Sequence, residues 1–153
     1  MIRILRTHSK NLDFIELVKH LNTELKKRDG GDHAFYAQFS KTDQVKYVVL
    51  AYENDEAIGC GGLKVYGPKS IEIKRMFVSP EYRGRGISKE ILSELEKWAI
   101  ELSYEKCLLE TGKRQFEAVG LYKKCGYKLI PNYGPYVNVE NSLCFEKIIQ
   151  YGL

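Results

Sequence analysis

The stretch Met76-Phe77-Val78-Ser79-Pro80-Glu81-Tyr82-Arg83-Gly84-Arg85-Gly86-Ile87-Ser88-Lys89 decides how the chain is read. A β-prone run ends at Val78, Ser79-Pro80 breaks it, a glycine-rich loop follows, and a helical pattern begins at Ile87. The first turn of a helix has unpaired N–H groups and the positive end of the helix dipole. Glycines without a Cβ let an anion approach that backbone. Arg83, Arg85 and Lys89 add positive charge around it. The junction therefore reads as a phosphate or pyrophosphate site, or as a tight turn and nothing more. It is not a P-loop, because the G-x-x-x-x-G-K-[ST] spacing is missing. It is not a full G-x-G-x-x-G fingerprint either, because Lys89 stands at the third glycine position.

Upstream, Val45 to Tyr52, Ala57 to Tyr66 and Ser70 to Val78 are β-branched and aromatic runs. Asn54-Asp55-Glu56 and Gly67-Pro68 are short turns between them, so an antiparallel meander is expected. Gly59, Gly61 and Gly62 predict a bulge or a close backbone approach. At the start, Ile2 to Leu5 alternates with Arg and reads as a short strand. Ser9 is the expected cap of a helix carrying Leu12, Ile15, Leu17, Val18, Leu21 and Leu25 at helical spacing. Lys26 to Asp32 ends it, and His33 to Thr42 reads as a short helix or a loop. Downstream come a helix over Ile87 to Leu102, a strand over Lys106 to Glu110, and a helix over Gln115 to Cys125 that stops at Gly126. Tyr127 to Ile130 and Ser142 to Ile149 are the last strands. The order predicts one α+β domain over residues 1–153, a mixed, mostly antiparallel sheet flanked by helices.

Composition narrows the function classes. With 24 Lys+Arg against 20 Asp+Glu, the net charge is +4, and the basic residues are interleaved with acids. That pattern is a solvated surface and shows no clustered basic face with stacking aromatics, so nucleic acid is not an expected partner. No apolar run approaches the roughly 20 residues of a membrane span. The N-terminus lacks a signal-peptide core and cleavage site, so the cytoplasm is the expected location. Cys60, Cys107, Cys125 and Cys144 form no C-x-x-C pair, and His8, His20 and His33 all lie near the N-terminus. No metal site is expected, and the cysteines read as small buried thiols. A catalytic cysteine needs a base, and the last two thirds of the chain hold no histidine.

Arg83-Gly84-Arg85-Gly86-Ile87-Ser88 resembles the acyl-CoA-binding signature [QR]-x-x-G-x-[GA] of the GNAT superfamily of N-acetyltransferases. It follows Val78-Ser79-Pro80, as in that family. Further on, Ala118-Val119-Gly120-Leu121-Tyr122-Lys123-Lys124-Cys125-Gly126-Tyr127 resembles the second hallmark, A-x-x-L-Y-x-x-x-G-[FY]. Glu72 to Val78 and Gly134-Pro135-Tyr136 look like a bacterial subgroup. Ser88 departs from the usual Gly or Ala, and Gln115 stands where many members have Asn.

The resemblance implies the acyl-CoA N-acyltransferase fold, with about six or seven strands. It implies a splayed strand pair that takes the pantetheine arm of acetyl-CoA like a missing strand. Met76, Phe77 and Val78 would pair with that arm, and the Met76 amide would hold the developing oxyanion. Gly84, Arg85, Gly86, Ile87, Ser88 and Lys89 would hold the pyrophosphate beside Arg83, and Gln115 would reach the arm. Tyr122 is the expected acid for the leaving thiolate and Glu72 the expected base, or an exposed strand carboxylate with no role. Alternation puts Glu72, Lys74, Met76 and Val78 on one face and Arg75 on the other. Glu110 is a second carboxylate, and Lys74, Glu110 and Tyr136 are substrate-side candidates, with Tyr133 beside them. The implied activity is direct acetyl transfer to a small amine or amino-acid-like acceptor, by a monomer or by a homodimer paired through an exposed final strand. A protein N-terminus or lysine as acceptor is the alternative, and so is an acyl-CoA-binding module without catalysis.

Overall fold

The elements run β1 (Ile2–Thr7), α1 (Leu12–Asp29), β2 (Tyr47–Glu53), β3 (Glu56–Val65), β4 (Ser70–Val78), α2 (Ile87–Glu101), β5 (Lys106–Gly112), α3 (Phe116–Lys124), β6 (Lys128–Ile130) and β7 (Ser142–Ile148). The structure, a computed structural model, describes residues 1–29 and 44–150. The expected short helix or loop at His33 to Thr42 lies outside the described residues. The seven strands form one sheet in the order β1-β2-β3-β4-β5-β7-β6. Among the described strands only β4 and β5 pair in parallel, as expected when a helix crosses over between them. The final strand β7 lies between β5 and β6 and is not exposed as expected. The edges are β1 and β6.

Alternation along β2 sends Val48, Leu50 and Tyr52 to one face and Val49 and Ala51 to the other. Helix α1 covers the first face with Phe14, Leu17, Val18 and Leu21, all buried at helical spacing. Its cap is Asn11, not the expected Ser9: Asn11 Oδ1 accepts from the amides of Asp13 at 2.9 Å and Phe14 at 3.4 Å. Leu12, counted above in the apolar stripe, is 80% exposed because it precedes the buried face. Helix α2 covers the second face with Ile87, Ile91, Leu92, Leu95 and Ala99. Gly126, at φ +92°, ends α3 by taking the left-handed turn that closes a helix.

Strand β4 is irregular where it matters. Cys60 of β3 faces Phe77, yet Gly62 faces Lys74, so β4 holds one extra residue. Arg75 sits there at φ +62°. This bulge resets the alternation. Ile71, Ile73, Met76 and Val78 pack on the α2 side, while Phe77 joins the α1 cluster and Arg75 reaches Asn22 of α1. The expected common face of Glu72, Lys74, Met76 and Val78 is thus divided. The Cys60 thiol donates to the Arg75 carbonyl oxygen at 3.2 Å and so fastens the bulge to β3.

The glycines of β3 make room for this packing. A Cβ on Gly61 would lie 2.6 Å from Met76 Sδ, 2.8 Å from Leu95 Cδ1 and 2.9 Å from Ile91 Cγ2. A Cβ on Gly62 would overlap Val45. Gly67, by contrast, has nothing within 4 Å. Gly61→Ala is expected to lower stability by about 1–3 kcal/mol through overpacking. Gly67→Ala is expected to change it by less than ~0.5 kcal/mol. Paired urea midpoints check both.

Candidate active site

β4 and β5 pair only from Ser70 opposite Lys106 to Glu72 opposite Leu108. Beyond Glu72 the bulge turns β4 away, while β5 stays on β7 as far as Gly112. A groove of about 810 Å³ opens in the gap. Its walls are Ile73 to Val78 of β4, Glu110 to Gly112 of β5, the glycine loop, the start of α2, the inner face of α3, and Leu21, Glu24 and Leu25 of α1. The expected splayed pair is therefore present, and the loop signature and the Tyr122 helix converge on it from opposite sides.

Gly84 at φ +80° and Gly86 at φ +78° shape the loop. Left-handed backbone costs an L-residue roughly 1–2 kcal/mol, which is the reason for glycine at both positions. Among the described residues a Cβ on either would meet nothing within 4 Å. The first helical bond of α2 runs from Glu90 N to Gly86 O at 3.1 Å. The amides of Ile87, Ser88 and Lys89 precede it and point out of the helix start, as an anion site requires. The loop arginines are already engaged. Arg83 donates to Glu24 at 2.7 Å and to the Val78 carbonyl at 2.8 Å. Arg85 donates to both oxygens of Glu53, at 2.8 and 3.2 Å. Lys89 is exposed at the groove mouth.

Tyr122 is 6% exposed and lies on the groove wall. Its ring packs against Tyr127 and Phe145, at centroid distances of 5.9 and 6.4 Å. Burial, then the Glu110 charge, pushes its phenol pKa well above the ordinary range, so the hydroxyl holds its proton near neutrality. It is thus a core aromatic that also lines the gap and keeps its phenol protonated. Gln115 is buried at the start of α3, on the same wall.

Glu72 is not on the groove wall. It is 3% exposed and accepts a 2.6 Å hydrogen bond from Tyr133. The burial of Tyr133, with the Glu72 charge beside it, raises the phenol pKa and keeps it the donor. Glu110 does line the groove, where it accepts from Ser142 Oγ at 2.7 Å. Between the two carboxylates stands Lys74, which donates to the Tyr136 hydroxyl at 3.1 Å. Burial lowers the pKa of Lys74, and the charges of Glu72 and Glu110 oppose that fall. Tyr136 lines the groove, whereas Tyr133 seals Glu72 from behind and stacks edge-on with Tyr66 at 5.1 Å. Arg75, which the sequence reading assigned to the opposite face, also lines the groove. Cys60 and Cys107 are buried, and burial pushes each thiol up to about 12, which suits packing and not nucleophilic attack. Among the described residues no group of three or more His, Cys, Asp or Glu is placed to hold a metal ion. No helix there is long and apolar enough to cross a membrane.

A model of the acetyltransferase (GNAT) family matches residues 12–127. The IAA acetyltransferase of Azospirillum brasilense is 32% identical over 121 residues, 76% of this chain and 76% of the relative. The uncharacterized N-acetyltransferase YsnE of Bacillus subtilis is 34% identical over 99 residues, 63% of this chain and 66% of the relative. A crystal structure from Klebsiella pneumoniae, described as an acyl-CoA N-acyltransferase, superposes with a TM-score of 0.83 at 25% identity, covering 98% and 99% of the two chains. The PaiA N-acetyltransferase of Thermoplasma acidophilum, solved with coenzyme A, shares the fold with a TM-score of 0.69 at 18% identity, covering 97% and 99%. This chain belongs to the GNAT acetyltransferase family.

The Tyr133 hydroxyl satisfies a buried charge. Tyr133→Phe is expected to cost about 1–3 kcal/mol, because it strips a hydrogen bond from a desolvated carboxylate. The double variant Tyr133→Phe with Glu72→Met is expected to recover most of that loss. Denaturant unfolding of both variants checks the pair.

Proposed function

We propose that this acetyltransferase moves the acetyl group of acetyl-CoA directly to the primary amine of a small molecule, in a ternary complex. The observation that carries this reading is that one groove is lined by the start of α2, by residues 73–78 of β4 and by Tyr122. Amides 84 to 89 take the pyrophosphate, with the exposed Arg83 and Arg85 pairs able to rearrange around it. The open backbone edge of Met76, Phe77 and Val78 takes the pantetheine arm as an added strand, and Gln115 contacts the arm from α3. The Met76 amide polarises the thioester carbonyl. The α1 side of the groove is left for the acceptor.

The acceptor arrives as an ammonium. Glu110, the carboxylate on the wall, takes its proton directly or through one water. Glu72, the base expected from the sequence, lies one layer back, so its charge acts through Lys74 and Tyr133. The amine nitrogen then bonds the carbonyl carbon as the carbon–sulfur bond breaks. Tyr122 gives its hydroxyl proton to the departing sulfur, and the second proton, lost from the nitrogen as the amide forms, reaches the phenolate through solvent. The products are the acetamide, the free thiol and the proton held on Glu110.

Calorimetric titration tests the donor. The parent is expected to bind acetyl-CoA, and Gly86→Glu to stay folded and lose binding by at least about tenfold. A folded parent with no binding would overturn the reading. Tyr122→Phe is expected to bind acetyl-CoA and lose about 10²-fold in thiol release, within the usual range for general acid catalysis. Running small amines beside peptides as acceptors checks the acceptor size.

A further inference from the structure

We infer that Arg75 anchors an oxyanion of the acceptor, so that the substrates are amines carrying a carboxylate, sulfonate or phosphate a few bonds from the reacting nitrogen. This rests on the proposed acetyl transfer and adds the acceptor's chemical class.

Arg75 is only 7% exposed, yet it lines the groove. The bulge fixes its place, because a non-glycine strand residue at φ +62° is uncommon and turns the side chain onto the α1 side. A guanidinium has five N–H donors. The only hydrogen bond among described residues runs from Arg75 Nη1 to Asn22 Oδ1 at 3.3 Å, and Nε has no partner. The nearby carboxylates are engaged by other groups. Glu24 holds Arg83 at 2.7 Å, Glu72 accepts from Tyr133 at 2.6 Å, and Glu110 accepts from Ser142 at 2.7 Å. Among described residues no carboxylate lies within ion-pair distance of Arg75. A buried charge without a counter-charge is costly. Consistent with this, burial depresses the Arg75 pKa, and only the Cys60 thiol and the Tyr136 phenol, not a carboxylate, oppose the fall.

Lys74 makes the case stronger. The bulge puts its side chain in the same groove, with the Tyr136 hydroxyl at 3.1 Å from Nζ. The charges of Glu72 and Glu110 act on it and oppose the fall in pKa that burial causes. Arg75 is the cation here with no carboxylate partner among the described residues. A simple alkylammonium entering beside Arg75 is repelled by that buried cation and leaves its Nε without a partner. An acceptor that brings its own anion removes that repulsion, and the guanidinium fork suits a planar or tetrahedral oxyanion through two parallel bonds. The acceptor's ammonium then faces Glu110, where the proton is lost.

The test compares matched acceptors: β-alanine, taurine, phosphoethanolamine and propylamine, each followed by thiol release from acetyl-CoA. The parent is expected to favour at least one anionic amine over propylamine by about tenfold or more in kcat/KM. The preferred member tells carboxylate from sulfonate and phosphate. Arg75→Met is expected to reduce that preference to below about threefold, through KM more than kcat, and Arg75→Lys is expected to keep part of it. A second measurement needs no variant: the matching simple anion should inhibit the parent competitively against the acceptor and not against acetyl-CoA. Equal use of propylamine by the parent, or an unchanged preference in Arg75→Met, would overturn the inference while leaving acetyl transfer intact. A parent that binds no acetyl-CoA, or that acetylates no amine, would overturn the underlying reading and this one with it.

Discussion

The site depends on one extra residue in β4. Without it, β4 would stay in register with β3 and would have no local reason to turn from β5. The bulge at Arg75 has three consequences. It ends the β4–β5 pairing after Glu72, so the backbone edge beyond is open. It shifts alternation, so Met76 and Val78 stay with the α2 core while Arg75 and Phe77 go to α1. It also leaves a carbonyl that the Cys60 thiol ties to the neighbouring strand. The surrounding sheet holds this irregularity in place, with Gly61 and Gly62 leaving room on either face. A bulge beside a site is a common way to aim side chains and end pairing.

Charge is arranged differently at the two ends of the groove. At the α2 end, Arg83 and Arg85 sit in exposed pairs with Glu24 and Glu53. Such pairs hold little net energy and exchange readily. The fixed electropositive feature there is the backbone itself, through the helix start and its glycines. At the α1 end, Arg75 is buried and Lys74 half-buried, and of the two only Lys74 has carboxylates acting on its charge. A groove built this way offers backbone amides at the start of α2 and a buried side-chain cation on β4, with Tyr122 and Glu110 also on its wall.

Much of this was legible from the residues. The glycine loop, the meander, the α2 stripe and the stop at Gly126 follow from turn chemistry and helical spacing. The third meander strand, Ser70 to Val78, and the α2 start at Ile87 match the structure. Other features were hidden for physical reasons. A bulge leaves no mark in the hydrophobic pattern when the inserted residue is an arginine, so the face assignments after Lys74 were inverted. The glycines of β3 were a clue that a close approach occurs, but not to which strand carries the insertion. Glu72 and Glu110 are equivalent in sequence, and only the placing of Tyr133 and Ser142 shows that one is sealed and the other faces the groove. The α1 cap moved from Ser9 to Asn11 because either side chain can cap, and tertiary packing of Phe14 chose the register.

The central claim is that acetyl-CoA lies along the open edge of β4 with its pyrophosphate on the start of α2. Amide hydrogen exchange with and without acetyl-CoA tests this most directly. The account predicts added protection in two separated segments, residues 73–78 and 84–90, with little change in β1, β2 and β6. Binding that protects neither segment, or the loop without β4, would contradict it.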